Sequence, residues 1–342
     1  MDAIELLNTI RDNASQAYQD RVPEATRNNI ESVGEAITDL SNAVVYNEFI
    51  NTLANMIYAP MLIKKSWSNP LGKFKKGKKT FGDTIEEVYN NFIKAKTYDQ
   101  SGSGLLTREL PDTKVVFHRM NRQDTYQLTD SPEGLAKAFK SYEGVSEYIQ
   151  NLFTTIRNSA EYDEYLLFKY LIIKGITSGK MYPVKVTTTD IKNAAVAFRG
   201  ISNQLTFIGT DYNASGVHTN TPKSDQYIFM DSMFNAQFDV NVLASAFNME
   251  KADFMGRLKL IDSFNTFDNE RFSSIIAGSD QIEPITADEL ALMSDVIAVI
   301  VDKEWFQIYD NLNRMSEKYV ASGLYWNYFY NVWKTVSFSP FS

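Results

Sequence analysis

The chain has no cysteine and only two histidines among its 342 residues. Without cysteine there is no disulfide framework, thiolate metal site or thiol nucleophile. That fits a reducing compartment, and equally a particle that endures outside cells without redox chemistry. No apolar run reaches the length of a membrane-spanning helix, and the N-terminus lacks the basic-then-apolar pattern of a signal sequence. A soluble protein with no recognisable secretion route is expected. HExxH, CxxC, GxSxG, P-loop and GxGxxG patterns are all missing. His118 falls in a segment that reads as extended and His218 in a polar loop beside Gly216. With so little convergent chemistry, an enzyme is the weaker class and neither cofactor nor metal is expected.

Aromatic residues are plentiful, with 22 Phe, 19 Tyr and 4 Trp, a composition common where proteins meet one another. The length suffices for one large or two ordinary domains. A formal net charge of −8 argues against bulk attraction to nucleic acid or membrane.

The rest is organised around residues 145–176. Val145, Tyr148, Ile149, Leu152, Phe153 and Ile156 follow a helical period, and from Tyr162 to Ile173 apolar residues appear nearly all round, as in a helix buried on several sides. Gly175, Gly179 and Pro183 form its stop. Such a helix is roughly 40 Å long and suits a beam across a subunit. On it, Glu161, Asp163 and Glu164 form an acidic cluster. Such a cluster reads more readily as a solvated face or an ion-pair partner for lysines than as a general acid and base.

Before the beam, residues 3–18 carry Ile4, Leu7, Ile10 and Ala14 on one helical face. This is either a core helix or an arm docking on a neighbouring subunit, and the break at 20–23 favours the arm. Residues 24–57 are helix-like, with Gly34 a weak point. Seven lysines then crowd residues 64–79, with Trp67, Phe74 and two glycines among them. The loop either grips nucleic-acid backbone, discourages unwanted strand pairing or meets acidic residues of a neighbour. Residues 84–99 match a helical template through Ile85, Val88, Tyr89, Phe92 and Ile93, yet their β-forming content leaves a strand open. Residues 114–129 read as extended. If both are strands, they make a long hairpin with a mobile, glycine-rich tip at 101–104. A lone hairpin is marginal in water, so this one should lie against another chain.

A short helix at 133–140 leads into the beam. Beyond Pro183 shorter elements suggest an α/β lobe: a helix capped by Asp190, strands at 226–230, 257–261, 273–277 and 296–301, and helices at 239–247, 250–254 and 288–293. The C-terminal run 324–338 is the densest β-forming stretch. Trp326, Tyr328, Tyr330, Val332 and Val336 share one face and Tyr325, Phe329 and Trp333 the other, so burial on both faces is expected. The beam would cover one face, and residues 305–309 would begin a second strand.

Several collinear stretches resemble the major capsid (head) proteins of phi-29-like small short-tailed phages. They are NPLGKFKKG (69–77), TIEEVYNNFIKAKTYD (84–99), FHRMNRQDTYQLT (117–129), NSAEYDEY (158–165), DVNVLASAFNMEKADFMG (239–256), VDKEWFQIYDNLNRM (301–315) and GLYWNYFYNVWKTVSFS (323–339). None is a catalytic signature. The resemblance implies the α+β, HK97-like capsid fold: an N-terminal arm (1–65), an E-loop hairpin (66–130), a P-domain spine helix (131–182), an α/β A-domain (183–301) and a return to the P-domain sheet (302–342). It also turns 84–99 into strand. Some relatives carry an immunoglobulin-like domain after the equivalent of Phe338, and its role is not carried over.

The implied function is structural, with pentamers and hexamers closing an icosahedral or prolate head around double-stranded DNA without sequence specificity. A scaffolding protein, a portal (connector) at one vertex and assembly in the bacterial host cytoplasm are implied with it. On that reading Lys73, Phe74, Lys75, Lys76, Lys78, Lys79, Glu86, Glu87, Arg119, Arg122, Glu161 and Glu164 are the subunit-interface candidates, the lysines meeting carboxylates of a neighbour. A cellular encapsulin-like shell of the same fold, and a DNA-binding module using the basic loop 64–79, are the alternatives.

Overall fold

The structure, a computed structural model, describes residues 3–39, 42–56, 67–79, 82, 84–102, 104, 106–130, 132–186, 191–236, 255–279, 281–323 and 325–342. The chain divides into two compact units. One comprises Met1–Ser68, Gln123–Tyr162 and Leu312–Val332, the other Asn69–Arg122, Asp163–Asn311 and Trp333–Ser342.

The first unit is mainly helical. Its N-terminal helices are α1 (Ala3–Asn13), α2 (Gln16–Gln19), α3 (Ile30–Thr38) and α4 (Ala43–Met56). They share one apolar core with α5 (Pro132–Ala138) and the first part of α6 (Tyr142–Thr177). Ala3, Leu6, Leu7 and Ile10 recur at helical spacing and are buried there beside Phe49, Leu135, Val145 and Tyr328. Polar side chains fasten the turns between helices. Asn8 receives the Ala25 amide through Oδ1 and donates through Nδ2 to the Ala25 carbonyl, at 2.7 and 3.0 Å. Arg11 donates to the Val22 carbonyl at 2.9 Å. The expected docking arm therefore differs from what the chain builds: its apolar face is already consumed inside the same chain.

Gly34 is not a weak point of α3 but a requirement of it. A β-carbon there would lie 2.3 Å from Phe139 Cβ, and the Phe139 ring packs on Phe49 at 6.2 Å between centroids.

The long helix materialises as α6, 36 residues from Tyr142 to Thr177. Within the second unit Leu166, Leu167, Phe168, Ile172 and Ile173 are buried, and Gly175 admits Trp305, whose ring atoms come within 3.0 Å of where a β-carbon would sit. Helix α6 and the strands β2 (Thr113–Asp130), β6 (Phe306–Val320) and β7 (Tyr325–Phe338) contribute residues to both units. With β1 (Thr84–Asn90) these strands form one sheet in the order β1-β2-β7-β6. On β7, Tyr328, Val332 and Val336 are buried, as the alternation implies, but Trp333 on the other face is 38% exposed. The same buried series contains Lys334.

The β1–β2 hairpin is antiparallel, from Thr84 opposite Arg119 to Asn90 opposite Thr113. It is shorter on its first limb than expected, because pairing stops there. Asn91 turns its side chain to Asp112 (2.9 Å) and to the loop at His218 (3.0 Å).

A second sheet, of order β4-β3-β5, lies in the second unit. Its strands are β3 (Gln226–Asp231), β4 (Leu258–Ile261) and β5 (Ala298–Asp302), with β4 parallel and β5 antiparallel to β3. Helix α7 (Ile191–Gln204) places Ala194, Ala195 and Phe198 against Ile228 and Met230. The expected strand at 273–277 is instead part of a helix, Asn269–Ile276. Its isoleucines suggest a strand. The Phe272, Ile275 and Ile276 spacing buries one helical face, however, and Asp268 caps the start by accepting the Arg271 amide at 3.1 Å. The expected helices at 239–247 and 250–254 and the Asp190 cap lie outside the described residues.

Gly34→Ala tests the α3–α5 contact. Ala is the better helix former by about 1 kcal/mol, but overpacking against Phe139 costs about 1–3 kcal/mol. The variant is expected to unfold at lower denaturant than wild type in equilibrium titrations.

Candidate functional site

The lysine loop is only partly in solvent. Residues 76–79 run alongside β6: the Lys76 amide donates to the Ile308 carbonyl (2.8 Å), the Asp310 amide to Gly77 (3.0 Å) and the Lys79 amide to Asp310 (2.8 Å). Gly77 adopts φ +100° there, a conformation that other residues rarely hold. The loop thus covers the β6 edge, which blocks stray strand pairing by occupation rather than by charge.

Beneath it lies a four-charge cluster. Lys75 Nζ is 3.1 Å from Glu164 Oε2 and 3.0 Å from Asp310 Oδ2. Lys334 pairs with the same Glu164 oxygen, and with Asp310 Oδ1 at 2.6 Å. Glu164, Asp310 and Lys334 are buried. Loop, α6, β6 and β7 each supply one member. Burial alone would raise both carboxyl pKa values, but the ammonium groups of Lys334 and Lys75 override it and hold both below their ordinary values. Burial likewise opposes the charge on Lys75, and Glu164 and Asp310 raise its pKa in spite of it.

Two further polar knots surround this cluster. Asp163, buried one residue before Glu164, pairs with Arg271 and lies 3.9 Å from Arg122 Nη2. His118, also buried, has Nε2 at 2.9 Å from Glu87 Oε2 and Nδ1 at 2.9 Å from Ser337 Oγ, while the Ser339 hydroxyl donates to Glu87 Oε1 at 2.7 Å. The hydrogen bonds of His118 and Ser339 pull the Glu87 pKa down against the opposing effect of its burial. A histidine, a carboxylate and two serines do meet here, but both ring nitrogens are committed to ties between β1, β2 and β7.

The interface candidates thus separate by position. Lys75 and Glu164 meet inside one chain. Lys76 pairs with Glu304 and Lys79 donates to the Thr84 carbonyl. Phe74 is buried against Tyr227 and Phe229, with centroids at 4.6 and 5.3 Å. Glu87 and Arg122 belong to the knots. Lys73, Lys78, Glu86 and Arg119 are exposed and Glu161 is half-buried. Lys64 and Lys65 lie outside the described residues. Sequence reasoning missed Lys334 and Asp310. The available signal was a lone lysine in the middle of the densest β-forming run.

The hairpin carries a group of exposed large apolar residues. Its base is pinned to the loop around His218: Lys114 donates to the Ser215 carbonyl at 2.6 Å, and the Tyr89 hydroxyl to the His218 carbonyl. The Phe92 ring lies 5.5 Å from that of His218. Beyond the base, Ile93, Tyr98, Leu106 and Leu110 are 73–95% exposed. Among the described residues there is no acidic or histidine cluster of metal-binding form, and no helix is long and apolar enough to cross a membrane.

The family model of the Phi29-like phage major capsid protein matches residues 7–342. The major capsid protein of Bacillus phage B103 is 35% identical over 350 residues, covering 100% of this chain and 72% of that protein. That of Bacillus phage PZA is 34% identical over 347 residues, covering 99% and 71%. Among solved structures, the capsid of Staphylococcus phage Andhra aligns with a TM-score of 0.61 at 14% identity, over 83% of this chain and 85% of that one.

Removing Lys334 leaves two buried carboxylates to share the single ammonium of Lys75, with one negative charge uncompensated. Lys334→Ala is expected to cost about 3–5 kcal/mol, measured by chemical denaturation at neutral pH. For Glu164 and Asp310 the folded pKa lies below the unfolded value. Their stabilisation is therefore present above the unfolded values of 4.5 and 3.8 and is lost as pH falls through the depressed folded ones. Acid titration of Lys334→Ala should lose less stability per pH unit than wild type over that window.

Proposed function

Because the chain belongs to the family of Phi29-like phage major capsid proteins, we propose that it closes a phage head around double-stranded DNA as rings of five and six copies. It is a structural protein of the virion with the HK97-like capsid fold, and it assembles into multimeric shells. On our reading, residues 66–130 act as the E-loop hairpin reaching a neighbour, 131–182 as the P-domain spine, 183–301 as the A-domain and 302–342 as the return to the P-domain sheet. A scaffolding protein during assembly in the host cytoplasm and a portal at one vertex complete the picture.

The observation that carries this reading is the hairpin. A segment whose base is held by three side chains keeps its large apolar residues in water at the tip. Burying a leucine or isoleucine stabilises by about 1.5–3 kcal/mol, so covering Ile93, Leu106 and Leu110 on a second copy gives roughly 5–9 kcal/mol before the association cost. Burial of this size couples subunit stability to assembly. Exposed Lys78, Glu86 and Arg119, with Glu161, are the charges we assign to the same contacts. Reading the basic loop as a DNA grip is disfavoured by the partners that Lys75, Lys76 and Lys79 already have within the chain.

Electron microscopy of the protein expressed alone and with its neighbouring genes tests the proposal, with closed shells or capsomer-sized rings expected. A stable monomer under both conditions would refute it. Ile93→Asp combined with Leu106→Asp should leave the monomer's circular dichroism unchanged and lower shell yield by at least about tenfold, the equivalent of 1.4 kcal/mol or more per contact.

A further inference from the structure

A second group of cations differs from the loop lysines that pair internally. Lys73 sits on the short turn Gly72–Phe74, whose aromatic ring is driven into the pocket of Tyr227, Phe229 and Phe306. Anchored in this way, Lys73 Nζ lies 4.2 Å from the Tyr227 ring centroid and 5.0 Å from that of Phe74, and donates to the Gly256 carbonyl at 3.0 Å. Lys259 on β4 is the register partner of Phe229, under the same aromatic group. Arg257 lies immediately before β4, next to the Gly256 carbonyl that Lys73 contacts, and near enough for its charge to act on Lys73. It is held by its guanidinium donating to the Ser224 carbonyl.

Among the described residues these positive groups converge without a counter-charge: none of the three makes an ion pair with a carboxylate, whereas Lys75, Lys76, Lys169, Lys174, Lys303 and Lys334 all do. Burial first, then the charges of Lys259 and Arg257, bring the Lys73 pKa down to about 8. Like charges gathered on fixed supports are costly unless an anion joins them.

We infer that Lys73, Arg257 and Lys259 form a binding site for carboxylate side chains of a second copy of this chain. The inference rests on the capsid-subunit reading and names one of its contacts. Charge balance selects the occupant. Each copy carries a net charge of −8, so copies repel one another as wholes, and carboxylates outnumber cations on the chain that a second copy presents. A local cluster of cations is where that repulsion turns into attraction and fixes register. A nucleic-acid strand is a poorer fit. Phe74 is buried and offers no face to a base, and three cations on an acidic chain release few counterions.

The test uses shells assembled from a mixture of nitrogen-14 and nitrogen-15 labelled full-length chains, treated with a zero-length carbodiimide coupler. Heavy–light peptide pairs joining Lys73 or Lys259 to an Asp or Glu of another copy are expected. Cross-links confined to peptides of the same label would overturn the proposal. In parallel, Arg257→Glu with Lys259→Glu should cut particle yield by at least about tenfold, and Arg257→Gln with Lys259→Gln by less, both with wild-type circular dichroism. Full-yield shells from the reversed variant would overturn it, and so would normal shells that have only lost nucleic acid. No shells from wild type would overturn the subunit reading, and this proposal with it.

Discussion

The second unit depends on one electrostatic constraint, the mutual neutralisation of Lys75, Lys334, Glu164 and Asp310. A buried ammonium group on β7 is tolerable only if carboxylates from α6 and β6 are already in place, and each carboxylate in turn needs both lysines. The four charges sum to zero, so desolvation is offset only by the complete set. Buried ion pairs of this kind seldom add much stability over a well-packed apolar equivalent, but losing one member is severe. Their value here lies in specificity. A shift of β7 by one residue would move Lys334 off the face that holds Glu164 and present Trp333 there instead.

The same logic explains why the lysine loop is rich in charge yet partly inaccessible. Its backbone hydrogen-bonds along the β6 edge, and its side chains then part. Lys75 drops onto the cluster and Lys76 onto Glu304, while Lys78 stays in solvent. One loop thereby closes a sheet edge, fills a charge cluster and leaves a residue for external contact. Gly77 makes the turn possible with its positive φ.

The sequence was informative where period and length decide. The long helix, the hairpin's second strand and the C-terminal strand follow from spacing alone, because their periods persist over many residues. The arm and the strand at 273–277 went astray where a local pattern allowed two states. An amphipathic helix looks the same whether its apolar face meets its own chain or a neighbour, so Leu7 and Ile10 could not reveal their partner. Ile275 and Ile276 carry β propensity, but a cap at Asp268 and the position of Phe272 outweighed it. Charge pairing was the least legible. Glu164 and Asp163 read alike as an acidic face, yet both are buried with separate cations supplied from distant segments. The one local clue was Lys334, a charge where every neighbouring position favours a buried strand.

That difference in legibility reflects how the charges are used. Where lysines and carboxylates meet within the chain, they come from segments far apart in sequence, and the geometry locks strands to the helix. Where, among the described residues, cations meet no carboxylate, as at Lys73 and Arg257 beside Lys259, they are still held, by an aromatic ring and backbone carbonyls. Holding like charges together has no folding benefit, because their repulsion opposes the folded state. A subunit that must associate with copies of its own acidic surface does gain from it, since an unneutralised cation group is the feature that an incoming carboxylate can recognise. On the proposed reading, interior pairs specify the subunit and the cation cluster specifies its neighbours. On the same reading, the exposed apolar hairpin supplies the association energy that such charges direct but do not themselves provide.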